Sequence, residues 1–202
     1  MTHVSSMILA SALASVAVAC RSANTEYYTL VSPPGERSAP VTEAFQLDVL
    51  PVDVPPEVDR PEIVVREGRG KVTPVDTRSW ISPLGRELRH ALSDDLSHAL
   101  GARDVAGATP VAGIPTYRIK LVVQRFDSSL GQHASIEAIS TIRNTAAPAS
   151  AVVCSHRASE AAGAGYELLA EAHQRAVAAI AAQIAEMIRS LQAGTAACPR
   201  SV

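Results

Sequence analysis

Residues 82–101, SPLGRELRHALSDDLSHALG, decide the fold because they predict a helix with one apolar face. Ser82 followed by Pro83 is typical of a helix N-terminus, where Ser caps the helix and Pro occupies its first position. Gly101 is placed to end the helix in a left-handed conformation. Between them, apolar residues recur at intervals of three and four: Leu84, Leu88, Ala91, Leu92, Leu96, Ala99 and Leu100.

Before this helix the sequence predicts three strands. Residues 45–49 alternate apolar and polar side chains, and residues 52–54 resume the alternation on the opposite parity, which indicates a bulge or bend between them. Residues 63–65 and 72–73 predict a hairpin, in which Pro74 favours the edge of a sheet.

After this helix three further strands and a long helix are predicted. The strands are residues 117–124, 136–142 and 151–157, and the helix is residues 166–192, ended by Gly194. The order is therefore βββ-α-βββ-α. Strands with one wet face and helices with one apolar stripe predict an α/β (α+β) two-layer sandwich, a mostly antiparallel or mixed sheet covered by two amphipathic helices.

Composition indicates one domain that does not bind nucleic acid. The chain has 202 residues, 47% of them hydrophobic, and a net charge of −2. A phosphate-binding surface would need a concentration of basic residues, which a near-neutral chain of this kind does not suggest. We expect a single domain over residues 41–193, preceded by a signal peptide (1–19) and a tether (20–40) and followed by a tail (194–202).

The start of the chain predicts export. Residues 7–19 form an apolar run without charge, and thirteen helical residues reach only about 20 Å, short of a membrane core of about 30 Å. A signal peptide fits this length better than a membrane span. Three alternatives remain open: acylation of Cys20 after a lipobox-like Ala17-Val18-Ala19, plain cleavage after Ala19, and an accidental apolar N-terminus.

Cysteine usage favours the lipoprotein among these alternatives. The chain has Cys20, Cys154 and Cys198, and an odd thiol is a liability in an oxidising compartment. Acylation of Cys20 leaves an even pair. Two features depart from the usual lipobox: Ala17 stands where Leu is common, and no Lys or Arg precedes the apolar run. The following residue, Arg21, is not the Asp that favours inner-membrane retention in the lipoproteins this chain resembles, so the outer membrane is implied.

The tether is predicted from its Pro-rich composition, with one exception. Residues 32–35, Ser-Pro-Pro-Gly, and residues 38–40, Ser-Ala-Pro, favour extended or turn backbone and have little to bury. Residues 27–30, Tyr-Tyr-Thr-Leu, are a short β-prone segment between them and the cysteine. We expect that segment to dock on the domain.

No catalytic or metal-binding motif is evident in the sequence. His90 and His98 are eight residues apart on the predicted helix, about 12 Å along its axis, too far to share a metal, and we expect both to be exposed. Cys154 and His156 share one strand face and, with His133, offer a zinc alternative; a disulfide cysteine beside a surface histidine is the preferred interpretation. Trp80 is expected to pack before the helix. We expect no enzyme activity, cofactor or bound metal.

Cys154 and Cys198 are expected to form a disulfide. Packing of the last helix against its preceding strand would return the chain towards the start of that strand, and the loop closed would contain about 43 residues. Reach is the difficulty, because a helix of 27 residues spans about 40 Å and overshoots a short strand. A loose tail with two free thiols is the alternative.

Residues 54–66, VPPEVDRPEIVVR, resemble a segment of the ABC-type transport auxiliary lipoproteins, the PqiC-like family, in which Asp-Arg-Pro precedes a strand ending in Arg. Three further features match in order: Tyr28-x-Leu30 after the cysteine, Trp80-x-x-Pro83-Leu84 at the helix start, and a final amphipathic helix. We expect Pro61 to hold Arg60 extended and Asp59 to contact Arg60, as a turn-stabilising pair or a partner contact.

This resemblance implies an outer-membrane-anchored partner of mammalian-cell-entry (MCE) domain proteins that supports lipid transport and envelope integrity. Its implied partners are an MCE-domain protein, a membrane reached through the lipid anchor, a lipid cargo and further copies of the same chain. Two other functions remain open: an envelope-assembly or peptidoglycan-synthase-activating lipoprotein, and a small periplasmic enzyme.

Overall fold

The computed structural model describes residues 24–33, 44–147, 151–195 and 197–198. It confirms an α+β sandwich with two amphipathic helices. The elements, in chain order, are β1 (Glu26–Tyr28), β2 (Gln46–Val49), β3 (Glu62–Glu67), β4 (Lys71–Trp80), α1 (Leu84–Leu100), β5 (Arg103–Asp104), β6 (Thr116–Ser129), β7 (His133–Asn144), β8 (Val152–Ala161) and α2 (Tyr166–Gln192).

The described strands form two sheets instead of one. A five-stranded sheet has the order β5-β2-β6-β7-β8, in which β6, β7 and β8 are antiparallel and β2 is parallel to both β5 and β6. The expected continuation of β2 is present as a bridge between Asp53 and Val122. A smaller sheet has the order β1-β4-β3, with β1 parallel and β3 antiparallel to β4.

The second strand of the hairpin, β4, is central in its sheet, although Pro74 favoured an edge. Pro74 pairs with Val64 of β3, while β1 pairs only with the last three residues of β4, so the other side of β4 at Pro74 needs no backbone donor. The prediction was therefore correct for the surroundings of Pro74 and wrong for the strand as a whole.

The helix α1 has the predicted stripe and C-terminus but begins one residue later than expected. Pro83, not Ser82, is the N-cap residue, and the Ser82 hydroxyl donates instead to the Glu87 carboxylate at 2.6 Å. Gly101 ends the helix with φ 60°. Gly85 allows a close approach, because a Cβ at this position would lie 2.9 Å from the carbonyl oxygen of Val52.

The helix α2 has the predicted bounds and lies beside α1 on one face of the larger sheet. Small residues on its buried face allow this close packing: Ala172, Ala176, Ala181 and Ala185. Its end is tied to the end of α1 by Arg189, which donates to the carbonyl of Ala99 at 2.6 Å. The two helices therefore run in the same direction, and because α2 is the longer one its N-terminus extends beyond that of α1.

Candidate functional site

The Pro-rich segment 54–66 forms a turn that leads into β3. The carbonyl of Pro55 accepts hydrogen bonds from the backbone N–H groups of Val58 (3.0 Å) and Asp59 (3.1 Å). The carbonyl of Pro61 accepts one from Trp80 (2.7 Å), which ties the segment to the end of β4. The segment thereby fixes where β3 and β4 enter the smaller sheet.

The expected contact between Asp59 and Arg60 is wrong. Arg60 Nε donates instead to Glu62 at 2.9 Å, and both Asp59 and Arg60 are exposed. Neighbouring side chains on extended backbone point in opposite directions, whereas residues two apart share a face. The Pro61 that holds Arg60 extended therefore directs it towards Glu62.

Near the end of β3, Arg66 contacts the buried carboxylate of Asp127 in β6, which has Arg125 as a second basic partner. Arg66 Nε and Nη2 lie 2.8 and 2.5 Å from Asp127 Oδ1, and Arg125 Nε lies 2.5 Å from Asp127 Oδ2. Burial raises the pKa of the Asp127 carboxyl, but the hydrogen bonds from Arg66 and Arg125 outweigh it and hold that pKa below its ordinary value. Arg66 therefore joins the smaller sheet to β6 of the larger one.

His173 of α2 is fully buried among aromatic side chains. Its ring stacks on Phe126 at a centroid distance of 4.0 Å and an interplanar angle of 7°, and it meets Trp80 edge to face at 6.0 Å. Its Nε2 lies 2.8 Å from the Ser128 hydroxyl. Burial lowers the pKa of His173 to about 3. Because Ser128 and His173 are both sealed from solvent, the pair packs the interface between α2 and the sheet.

The expectation that His156 lies on the surface is wrong. His156 is 3% exposed; its Nε2 lies 2.7 Å from Ser140 and its Nδ1 3.0 Å from the Gln183 amide oxygen. Burial lowers its pKa. The alternation of β8 turns His156 inward together with Cys154, under α2, where Gln183 meets the ring.

His90 and His98 lie as expected, since both are exposed on α1. His98 Nδ1 lies 2.9 Å from the backbone carbonyl of Asp94, one turn earlier. No group of three or more His, Cys, Asp or Glu that could hold a metal ion is found among the described residues, so Cys154, His156 and His133 do not converge.

The β-prone segment near the N-terminus docks on the domain as expected, and we call residues 26–31 the strap. Its β1 pairs with residues 78–80 of β4, and Leu30 is 1% exposed. Glu87 of α1 holds it: its Oε2 accepts hydrogen bonds from the Thr29 hydroxyl (2.8 Å) and the Leu30 N–H (3.0 Å). The packed part of the chain therefore includes residues within the predicted tether.

A groove of about 690 Å³ lies beside the strap, between α1 and α2. Four carboxylates line it: Asp94 and Asp95 from α1, and Glu167 and Glu171 from α2. An acyl chain placed there would lie against charged groups, at an energetic cost. The groove is therefore unsuited to holding an apolar ligand.

Cys154 and Cys198 are joined by a disulfide, with their Cα atoms 5.6 Å apart. The helix α2 extends only slightly past the start of β8, because β8 continues to Ala161 and is longer than the predicted strand. After α2 the chain turns back, with the Thr195 N–H donating to the Ser190 carbonyl at 2.9 Å. This turn brings Cys198 to the start of β8.

Two buried polar positions that hold the fold together are missing from the sequence predictions, Glu87 and His173. Each is a polar residue on the apolar stripe of an amphipathic helix, close to Leu88 and Leu169 respectively, and that placement is the signal that would have identified them. The predicted acylation site Cys20 and residues 1–19 lie outside the described part of the chain. Neither α1 nor α2, nor any other described helix, is long and apolar enough to cross a membrane.

The comparisons with known proteins agree with this architecture. One solved structure, of an uncharacterized protein, is 19% identical with a TM-score of 0.65, over 82% of this chain and 99% of that one. A second, protein XCC0632 from Xanthomonas campestris, is 18% identical with a TM-score of 0.60, over 84% and 99%. These identities support the fold alone. No curated protein matches this chain in sequence. The model of the ABC-type transport auxiliary lipoprotein component matches residues 28–185, and the chain therefore belongs to that family.

Proposed function

We propose that this chain is an outer-membrane-anchored periplasmic lipoprotein that serves an MCE/ABC-type system for moving lipids or other hydrophobic compounds, and that it acts by binding proteins. The observation that carries the proposal is the family match over residues 28–185, which covers most of the strap, both sheets except the first two residues of β1, and most of α2. A transport auxiliary component is not an enzyme.

The structure supports binding to proteins over carrying cargo. The groove between α1 and α2 is lined by four carboxylates, so it offers no apolar chamber for an acyl chain. The buried hydroxyl–imidazole pairs are closed to ligands. Asp59 and Arg60 are exposed beside the rigid turn of Pro61, and we propose that this turn is a partner contact as well as a structural one.

The anchor is proposed from the sequence that precedes the strap. Cys20 follows a signal-like apolar run. The next residue is Arg21 and not the Asp that favours inner-membrane retention. With Cys20 acylated and anchored in the outer membrane, the domain faces the periplasm. This compartment is oxidising, which favours the disulfide of Cys154 and Cys198.

The test is direct binding to the MCE-domain proteins of the same cell. Acylated protein is purified from separated membranes, its N-terminus is identified by mass spectrometry, and its binding to each purified MCE-domain protein is measured. The expected result is an acylated Cys20, recovery with the outer membrane, and saturable binding that an Arg60→Glu variant weakens and a Lys71→Glu control does not. Failure of every MCE-domain protein to bind would contradict the proposal.

A further inference from the structure

We propose that the domain rests directly on the bilayer that holds its anchor, and that one end of the molecule, bearing Tyr27, Leu130 and Leu168, contacts the lipid headgroups. This inference rests on the proposed acylation of Cys20. It goes further by naming the surface involved and its ligand, a phospholipid bilayer surface.

The docked strap shortens the tether. Glu26, the first residue of β1, pairs in register with Arg78 of β4, and Arg78 Nη2 lies 3.3 Å from Glu26 Oε1. Five residues lie between Cys20 and Glu26, and even fully extended the six Cα–Cα steps span only about 20 Å. A tether of twenty residues would have left the domain free of the membrane, whereas five residues keep β1 close to the headgroups.

The start of β1 is fixed to the end of the molecule where α2 begins. The Tyr28 and Tyr166 rings are 6.5 Å apart, and the Arg78 guanidinium lies over the Tyr166 ring at 5.3 Å. The strap then runs towards the middle of α2, where Gln174 donates to the Thr29 carbonyl at 3.0 Å. The direction of the chain therefore places the anchor beyond the N-terminus of α2.

The same end carries exposed apolar side chains from three elements. Tyr27 of β1 is 62% exposed, Leu168 of α2 is 44% exposed, and Leu130 in the turn between β6 and β7 is 37% exposed. That turn is bound to the loop before α2, because the Gly131 N–H donates to the Gly163 carbonyl at 3.2 Å. We call Tyr27, Leu130, Tyr166 and Leu168 the anchor-proximal end.

The composition of the anchor-proximal end suits a bilayer interface. Tyr has an apolar ring and a polar hydroxyl, and Tyr is enriched where membranes meet water. Insertion of a few Leu and Tyr side chains adds buried apolar area to that of the acyl anchor. Glu26 pairs with Arg78 at this end. Glu167 and Glu171 lie beside Tyr27 in the groove, so the contact does not draw on attraction to anionic lipid.

The test measures contact with lipid at both ends of the sheet. Leu168→Trp and Tyr27→Trp place a new indole at the anchor-proximal end; Val111→Trp, the matched control, places one on another exposed apolar position, 57% exposed, before β6. At about 3.3 Å per residue, the 14 residues of β6 separate the two ends by roughly 45 Å. The native Trp80 is buried and is present in every variant.

Acylated variants are reconstituted in phosphatidylethanolamine–phosphatidylglycerol vesicles containing lipid brominated near the headgroup end of its acyl chains. The expected result is loss of emission for Leu168→Trp and Tyr27→Trp and unchanged emission for Val111→Trp. Equal quenching at both ends would overturn the inference. Quenching at neither end, with the indole of Leu168→Trp shielded only when an MCE-domain protein is added, would also overturn it and identify a protein interface.

Mass spectrometry distinguishes an error in the proposed acylation of Cys20 from an error in this inference. If mass spectrometry finds an unmodified Cys20, the proposed anchor is wrong. The orientation is then tested with the same Trp variants in which a hexahistidine tag replaces residues 1–20, bound to nickel-chelating lipid. Quenching that distinguishes the two ends in that form supports the orientation set by the strap, and equal quenching overturns it.

Discussion

His173 is neutral in the folded protein because it is fully buried against the rings of Trp80 and Phe126, with the Ser128 hydroxyl as its hydrogen-bond partner. Burial lowers its pKa to about 3; Asp127 opposes that shift, and His133 adds to it. An unfolded histidine titrates near 6.5, so between roughly pH 6.5 and pH 3 the unfolded chain binds a proton that the folded protein refuses. The stabilising contribution of neutral His173 is therefore complete above pH 6.5 and is lost as the pH falls.

We expect His173→Phe to remove much of this acid sensitivity. Phe keeps the stacking on Phe126, although it leaves the Ser128 hydroxyl without its partner. Between pH 7 and pH 5 the parent should lose about 2 kcal/mol more unfolding free energy than the variant. Urea denaturation at both pH values measures the difference. His156 titrates in both proteins, and exposed His98→Gln should resemble the parent; equal losses in parent and His173→Phe would refute the assignment.

The partners of single residues were less predictable from sequence than the strand or helix face on which those residues lie. The alternation of β8 placed Cys154 and His156 on one face, but the partner that buries His156 is Gln183, 27 residues away. Glu87 likewise finds Thr29 across 58 positions of sequence. Such pairings depend on how the elements pack, which periodicity does not encode.

Among the elements, the strap is linked to α1 by one buried carboxylate. Glu87 accepts the Thr29 hydroxyl and the Leu30 N–H on one oxygen and the Ser82 hydroxyl on the other. Glu87 is 2% exposed, so water does not reach these three donors to act as an acceptor in its place. A single side chain consequently links the start of α1 to the strap.

We expect Glu87→Ala to release the strap. The Leu30 N–H would be left buried without an acceptor, and loss of hydrogen bonds to a charged group costs about 3 kcal/mol. Hydrogen–deuterium exchange should accelerate at residues 28–31 and at the start of α1, while β7 keeps its protection. Exposed Glu171→Ala is the control. Unchanged exchange at residues 28–31 would show that β1 pairing alone holds the strap.

Long, strongly periodic elements were the predictable ones. Both helices have the expected stripes, and β6, β7 and β8 follow the expected alternation. The strand β5 has two residues and β1 has three, too few for a periodic signal, and they are defined by their partners β2 and β4. The division into two sheets follows from such pairings and was missed for that reason.

At the scale of the whole molecule, the two ends of the sheet differ. One end carries the start of the strap, the N-terminus of α2 and the turn between β6 and β7. The other end carries the C-termini of both helices and the disulfide. We infer that the proposed anchor is attached at the first end. The second end depends on the disulfide to keep the segment after α2 on the sheet.

We predict that removal of this link lowers the stability of the whole domain. The disulfide closes a loop with a sequence separation of 44, which contains most of β8 and all of α2. In the chain-entropy model a loop of this size contributes roughly 3–4 kcal/mol, less any strain. The double variant Cys154→Ser, Cys198→Ser avoids a stray thiol and should melt at a lower temperature than the oxidised parent.

Reductant provides the matched control, because it should lower the melting temperature of the parent and leave the double variant unchanged. Non-reducing peptide mapping of protein exported to the periplasm should recover the peptides of Cys154 and Cys198 as one linked species. Two free thiols in that protein, or a parent whose melting is indifferent to reductant, would mean that the tail after α2 is not fastened. The second end of the sheet would then be held only by Arg189 and the packing of α2.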